Sequence, residues 1–216
     1  MAWLAATISS SIGKKSLMAV SGFLLGVFVL VHMLGNATAL AGRATFLSYA
    51  EQLHAFGGLL LFFELALLAI LLCHLITALL LWRANCAARP VAYAVSRGAG
   101  GRTIASRTML YSGLVILLFL GYHLAQFSFG GGDEVVADLV RDTLGRPLNA
   151  AFYLIALLAL ALHLSHGFWS LWQSLGVEHP KYTPGLRRGA VAAAILIGFI
   201  YSLLPLFALL SPRFLL

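Results

Sequence analysis

Five apolar stretches, each long enough to cross a bilayer, decide most of what this chain can fold into. They run over residues 16–40, 56–82, 107–128, 149–175 and 188–211. A helix rises only about 1.5 Å per residue, so roughly 20 apolar residues are needed to traverse the hydrocarbon. No water is available there, and every peptide N–H and C=O must find its partner inside the protein. Helices satisfy this within one segment. Of the residues, 61% are hydrophobic and 10% charged, and the mean hydropathy is +0.95. The connections are too short to fold as a separate soluble domain. The sequence therefore predicts an all-α membrane protein: a five-transmembrane-helix bundle forming one domain over residues 1–216, embedded in the lipid bilayer.

The net charge of +7 raises nucleic acid as a partner, but the placement of the charge argues against it. Lys14 and Lys15 precede the first stretch. Arg83, Arg89, Arg97, Arg102 and Arg107 lie at or between the second and third, and Lys181, Arg187 and Arg188 between the fourth and fifth. These make ten of the 14 basic residues, all on one side. Arg43, Arg141, Arg146 and Arg213 fall on the other, among Glu51, Asp133, Glu134, Asp138 and Asp142. The positive-inside rule puts the N-terminus in the cytoplasm and the C-terminus outside. No basic stripe interleaves with aromatics as a nucleic-acid surface would require. The segment before Lys15 lacks the basic start and the apolar core of a cleavable signal, and is expected as a short cytoplasmic piece at the interface. Residues 47–55 (LSYAEQLHA) are expected as a polar segment on the outer surface. Residues 133–144 (DEVVADLVRDTL), with helical spacing and acids at the start, are expected as a short outer helix.

Four histidines lie deep inside four of the stretches, where an imidazole is costly unless something uses it. Two of them end related segments: residues 21–32 read SGFLLGVFVLVH and residues 112–123 read SGLVILLFLGYH. The others are His74, closing ALLAILLCH, and His163, closing ALLALALH. The first two stretches thus resemble the third and fourth, a parallel internal repeat. At about 1.5 Å per residue, His32 and His123 lie roughly 24–27 Å from the cytoplasmic ends of their spans. On the same rise, His74 lies about 13 Å above Arg83 and His163 about 18 Å above Leu175. Two levels result, each with two histidines from different helices. A single helical histidine is more often a packed, hydrogen-bonded residue. Four at two matched depths point instead to axial ligand pairs for two haems: His32 with His123 at the outer level and His74 with His163 at the inner. Gly22, Gly26, Gly35, Gly113, Gly121 and Gly167 would leave room for porphyrin rings. His166 competes with His163 on the same helix. The ALLA alignment and the H-x-x-x-G spacing to Gly167 favour His163, and His166 stays open as the alternative ligand or as a haem-propionate partner. His54 and His179 fall in loops. Cys73 and Cys86 make no disulfide framework, and no C-x-x-C-H occurs, so any haem is held non-covalently.

These motifs, taken in order, resemble the cytochrome b subunit of succinate dehydrogenase and fumarate reductase, the respiratory complex II anchor, in its five-helix dihaem form. The resemblance covers nearly the whole chain. It is carried by G-x3-G-x5-H (Gly22, Gly26, His32), G-x9-H (Gly113, His123), the second-span histidine followed by arginine (His74, Arg83), and H-x-S-x-G running to a distal glycine (His163, Ser165, Gly167, Gly176). It implies two haem b groups, a flavoprotein subunit and an iron–sulfur subunit on the cytoplasmic side, and electron passage to a quinone, usually menaquinone. It also implies a multi-pass place in a bacterial inner membrane. The chain itself has no nucleotide fingerprint and no cysteine cluster for iron–sulfur centres, so the quinone half-reaction is its share of the enzyme. Quinone reduction takes up protons, which makes Glu51, His54 and the intramembrane Glu64 the candidates for the quinone site. Some fumarate reductases of this family carry a glutamate two residues before the span-four ligand for proton movement; Ala161 stands there, and that pathway is not expected here. Lys14, Lys15, Arg89, Arg97, Arg102 and Arg107 are candidates for docking the iron–sulfur subunit, though anionic lipid accounts for them as well. The rival readings are a b-type anchor of another oxidoreductase, such as a hydrogenase or formate dehydrogenase, and a haem-free transporter. The former usually has four spans; the latter favours broken helices and inverted repeats.

Overall fold

Local chemistry at the ends of the apolar stretches sets where each helix starts and stops. The computed structural model describes residues 2–88, 103–128, 135–211 and 213–215. In chain order these form α1 (Ala2–Ser9), α2 (Ser11–Ala37) with a 3-10 turn (Thr38–Ala41), α3 (Arg43–His54), α4 (Gly58–Ala87), α5 (Ile104–Phe127), α6 (Val136–Leu144), α7 (Pro147–Ser174) and α8 (Thr183–Leu210). No strand occurs among the described residues. Five of the helices, α2, α4, α5, α7 and α8, are long and apolar enough to cross a membrane, and the chain is a multi-pass membrane protein. They extend up to five residues beyond the apolar stretches, because polar residues at their ends continue or cap the helix. The docking candidates Arg89, Arg97 and Arg102, the glycines at 130–132, Asp133 and Glu134 lie outside the described residues.

The Ser10 hydroxyl accepts from the Gly13 amide at 3.0 Å and opens α2. Thr103 and Ser106 exchange side-chain-to-backbone hydrogen bonds at 3.0 and 3.1 Å and open α5 as a capping box. Proline in the first turn opens α7 and α8, where a missing N–H costs nothing. Gly176, at φ 75°, ends α7. There the Val177 amide donates to Trp172 O at 2.9 Å and the Gly176 amide to Gln173 O at 3.1 Å, the two bonds of a Schellman turn. Pro205 sits buried inside α8, which continues through it.

The segment expected to be polar at 47–55 is the second part of the longer helix α3, and the short helix expected at 133–144 is described from Val136 as α6. These two close one end of the bundle. Ala39, Phe46, Ala137, Val140, Leu144, Tyr153, Leu204, Phe214 and Leu215 form one buried apolar cluster there. At its edge Arg43 grips Asp138 with both terminal nitrogens, at 2.7 and 2.6 Å, and donates to Leu215 O at 2.8 Å. Arg141 reaches the same carboxylate at 3.0 Å. One bidentate pair thereby ties α3, α6 and the C-terminal turn together.

Among the described residues the closely packed spanning pairs are α7 with α8, α5 with α7, and α2 with α4, α7 and α8. Small residues permit this approach. A methyl group on Gly198 of α8 would stand 3.1 Å from the Ala161 Cβ of α7, and one on Gly26 of α2 would stand 2.9 Å from the Phe168 ring of α7. Ala161, where some members of the resembling family carry glutamate, is therefore a site of helix contact. The α2/α5 and α4/α7 pairs are not among the closely packed ones.

The hydrogen bond from Arg43, and secondarily the charges of Arg43 and Arg141, hold the Asp138 carboxyl below its ordinary range. A depressed carboxylate contributes stability that is complete above the unfolded-state value of about 3.9 and is lost as pH falls through the folded-state value. Thermal unfolding in detergent should show Asp138→Asn less stable than the parent near neutrality, with the difference closing on acidification. A constant difference down to the acid limb would contradict this account.

Candidate functional site

The histidines stand where the loosely approached helix pairs face each other. His32 of α2 and His123 of α5 have ring centroids 6.0 Å apart with an interplanar angle of 84°. His74 of α4 and His163 of α7 have centroids 6.4 Å apart at 66°. The first pair lies towards the α3/α6 end, five and four residues before their helices finish, and the second lies deeper. Two imidazoles sharing one metal ion, each bound at about 2 Å, place their ring centres roughly 6 Å apart.

Hydroxyl groups orient three of the four rings. Ser21 Oγ donates to Leu17 O at 2.6 Å, so its lone pair accepts from His74 Nδ1 at 3.2 Å. Ser112 Oγ donates to Met109 O at 3.1 Å and accepts from His163 Nδ1, also at 3.2 Å. Tyr153 OH donates to Gln126 Oε1 at 2.9 Å and accepts from His123 Nδ1 at 3.2 Å. In each case Nδ1 carries the proton and the Nε2 lone pair is left for another partner. His32 is held differently. Its ring stacks on Phe28 with centroids 5.3 Å apart and an angle of 16°, lies 6.2 Å from the Tyr201 ring, and has the Asn36 amide nitrogen 3.4 Å from both ring nitrogens.

The donor set itself limits the metal. Among the described residues no three histidine, cysteine or carboxylate side chains come together. A structural zinc site takes four protein ligands and a catalytic one three. Two opposed imidazoles suit an ion whose remaining positions are filled by a macrocycle, which is the haem arrangement. The residues present therefore fit haem at both levels.

The remaining candidates are more dispersed. His166 is half-buried on α7, without a facing histidine ring among the described residues. Glu51 and His54 are exposed on α3, where His54 Nδ1–H donates to Ala50 O at 2.7 Å. Glu64 is exposed on α4, the spanning helix whose most apolar window has no buried residue. The glycines expected to make room for a ring divide. Gly22 and Gly113 abut the imidazoles of His74 and His163, Gly26 abuts Phe168 and Gly35 abuts Tyr49, while a methyl group on Gly121 or Gly167 would meet nothing within 4 Å. Sequence reasoning missed Ser21, Ser112, Tyr153 and Gln126. The signal for the two serines was present, since Ser-Gly opens both related segments, at the depth of His74 and His163.

The architecture defines a class: a five-span α-helical membrane protein with two facing histidine pairs at two depths. Over 88 residues, 40% of this chain, it is 26% identical to the succinate dehydrogenase cytochrome b558 subunit of Bacillus subtilis (strain 168), an alignment that spans 42% of that relative's length. No family model and no solved structure matches the chain.

Replacing Tyr153 by phenylalanine would strand His123 Nδ1–H and Gln126 Oε1 in a partly buried setting. A loss of about 1–3 kcal/mol is expected from unsatisfied buried groups. Unfolding of Tyr153→Phe in detergent checks this, and an unchanged melting temperature would rule out the bond network described.

Proposed function

We propose that this chain is the dihaem cytochrome b anchor of a succinate:quinone oxidoreductase, a succinate dehydrogenase or fumarate reductase, and that it carries electrons between an iron–sulfur subunit and membrane menaquinone or another quinone. The observation that carries the reading is the pair of histidine couples, each with centroids about 6 Å apart, on helices that do not otherwise pack closely. The name of the Bacillus subtilis relative, a cytochrome b subunit of succinate dehydrogenase, agrees with it. When bound, haem supplies a one-electron relay. His32 and His123 would hold the outer group, and His74 and His163 the inner one. His163 is preferred to His166 because its ring faces His74 and its Nδ1 is engaged by Ser112.

The rest of the reading follows from charge and chemistry. The whole chain, residues 1–216, serves as one transmembrane cytochrome b domain in a bacterial inner membrane. The basic ends put its N-terminus in the cytoplasm and its C-terminus outside. The flavoprotein and iron–sulfur subunits then dock on the cytoplasmic face, beside Lys14, Lys15 and Arg107. Quinone reduction consumes two protons for two electrons, and the residues able to hold or pass a proton near the outer level are Glu51, His54 and Glu64. With its Nδ1–H committed to Ala50 O, His54 would exchange protons through Nε2. Glu64, exposed within a span, would face lipid or a quinone dissolved in it.

Haem content and a reduced-minus-oxidised spectrum of the chain purified with its partners test the reading. Two b haems per chain are expected, and none would overturn it. The inner haem should disappear in His163→Ala and persist in His166→Ala, and the reverse result would reassign the ligand.

A further inference from the structure

The two segments that carry the outer histidines begin with the same dipeptide, Ser-Gly, and the structure gives that dipeptide a role at the other level. Ser21 and Gly22 of α2 lie against His74 of α4, and Ser112 and Gly113 of α5 lie against His163 of α7. Both Oγ to Nδ1 distances are 3.2 Å. Both serines are buried, at 5% and 4% exposure. Both hydroxyl protons are spent on the preceding turn, on Leu17 O and Met109 O, so each oxygen can only accept from the ring. The glycine that follows removes the side chain that would crowd the imidazole. A methyl group on Gly22 would stand 3.1 Å from His74 Cε1, and one on Gly113 would stand 3.5 Å from His163 Cε1.

We infer that Ser21 and Ser112 are positioning residues for the inner histidine pair, each fixing one imidazole as its Nδ1–H tautomer with Nε2 turned to a shared metal centre. The inference rests on the haem reading above. Each repeated segment then works at two levels: its histidine serves the outer pair, and ten or eleven residues earlier its Ser-Gly orients an inner ligand on the helix it packs against. A hydroxyl accepting from Nδ1–H raises the basicity of Nε2 and favours the oxidised iron, so removing it raises the midpoint potential. The two glycines are not equivalent. The 3.1 Å approach at Gly22 forces the His74 ring to give way, whereas 3.5 Å at Gly113 is ordinary contact.

The experiment is a redox titration of both b haems in the intact complex, followed by absorbance and low-temperature EPR, for the parent and for Ser21→Ala, Ser112→Ala, the double variant, Ser21→Thr and Ser112→Thr. The expected result is an upward shift of one haem in each alanine variant, the same haem in both, a larger shift in the double variant, and recovery in the threonine variants. The other haem stays in place. Loss of that one haem in an alanine variant, with retention in the threonine variant, supports the inference equally. Gly22→Ala should perturb the EPR signal of the same haem, and Gly113→Ala should leave it near the parent. Unchanged potentials in both alanine variants with two haems bound would overturn the inference and leave the dihaem reading standing. So would loss of both haems in the alanine and threonine variants alike. A parent complex without b haem would instead overturn the underlying reading. A shift with Ser21→Ala but none with Ser112→Ala would detach His163 from the inner centre and overturn the paired role.

Discussion

A peptide group placed in hydrocarbon has no water to bond, and the rest of this structure depends on that constraint. It forces the chain into long helices, because a helix closes its backbone bonds internally. It also makes every polar side chain within a span expensive unless it is paired. Several of the groups that do lie there are paired in a consistent way. Serine and threonine hydroxyls bond back to the preceding turn, as Thr77 does to Cys73 O at 2.6 Å and Ser202 to Gly198 O at 2.7 Å. Three of the four deep imidazoles are bonded to hydroxyl groups that have already donated their own protons.

Helix packing distributes the bundle unevenly, and the unevenness is what makes a site. Glycine and alanine bring α7 against α8 and α2, and these three helices touch one another. By contrast, α4 touches chiefly α2, and α5 touches chiefly α7. The histidines sit on the two diagonals left between, α2 to α5 and α4 to α7, where backbones stay apart and only side chains meet. A flat macrocycle needs such separation, and a dry close-packed interface would exclude it. The end of the bundle beyond His32 and His123 is closed by α3 and α6, pinned by Arg43 and Asp138, so that Tyr153 belongs both to that apolar cluster and to the His123 bond network.

Much of this was legible in the residues. Span number and span position follow from run length, caps and spacing, and the short helix expected at 133–144 is described from Val136. Equal depth along the spans singles out the histidines whose rings face one another. The rotational setting of each helix was not legible. In a water-soluble protein an apolar stripe marks the inward face, but here lipid and core are equally apolar and the stripe disappears. On α4 the residues Phe62, Leu65, Leu68, Leu72 and Ile76 are all exposed although every one is apolar, and nothing in their order tells them from buried ones. For the same reason Ser21 and Ser112 read as mere markers of a repeat, and Arg43 and Asp138, 95 positions apart, showed no sign of a partnership.

By itself the amino-acid sequence determined a helical membrane protein of five spans with histidines at two depths, because backbone hydrogen bonding and the thickness of hydrocarbon act on each segment locally. Only the tertiary structure decided how the rings of each pair are turned, which hydroxyls hold their Nδ1 protons, and that His163 rather than His166 turns towards His74. Those choices depend on how each helix is rotated against its neighbours, and that rotation is set by close contacts between distant residues such as Gly198 with Ala161 and Gly26 with Phe168.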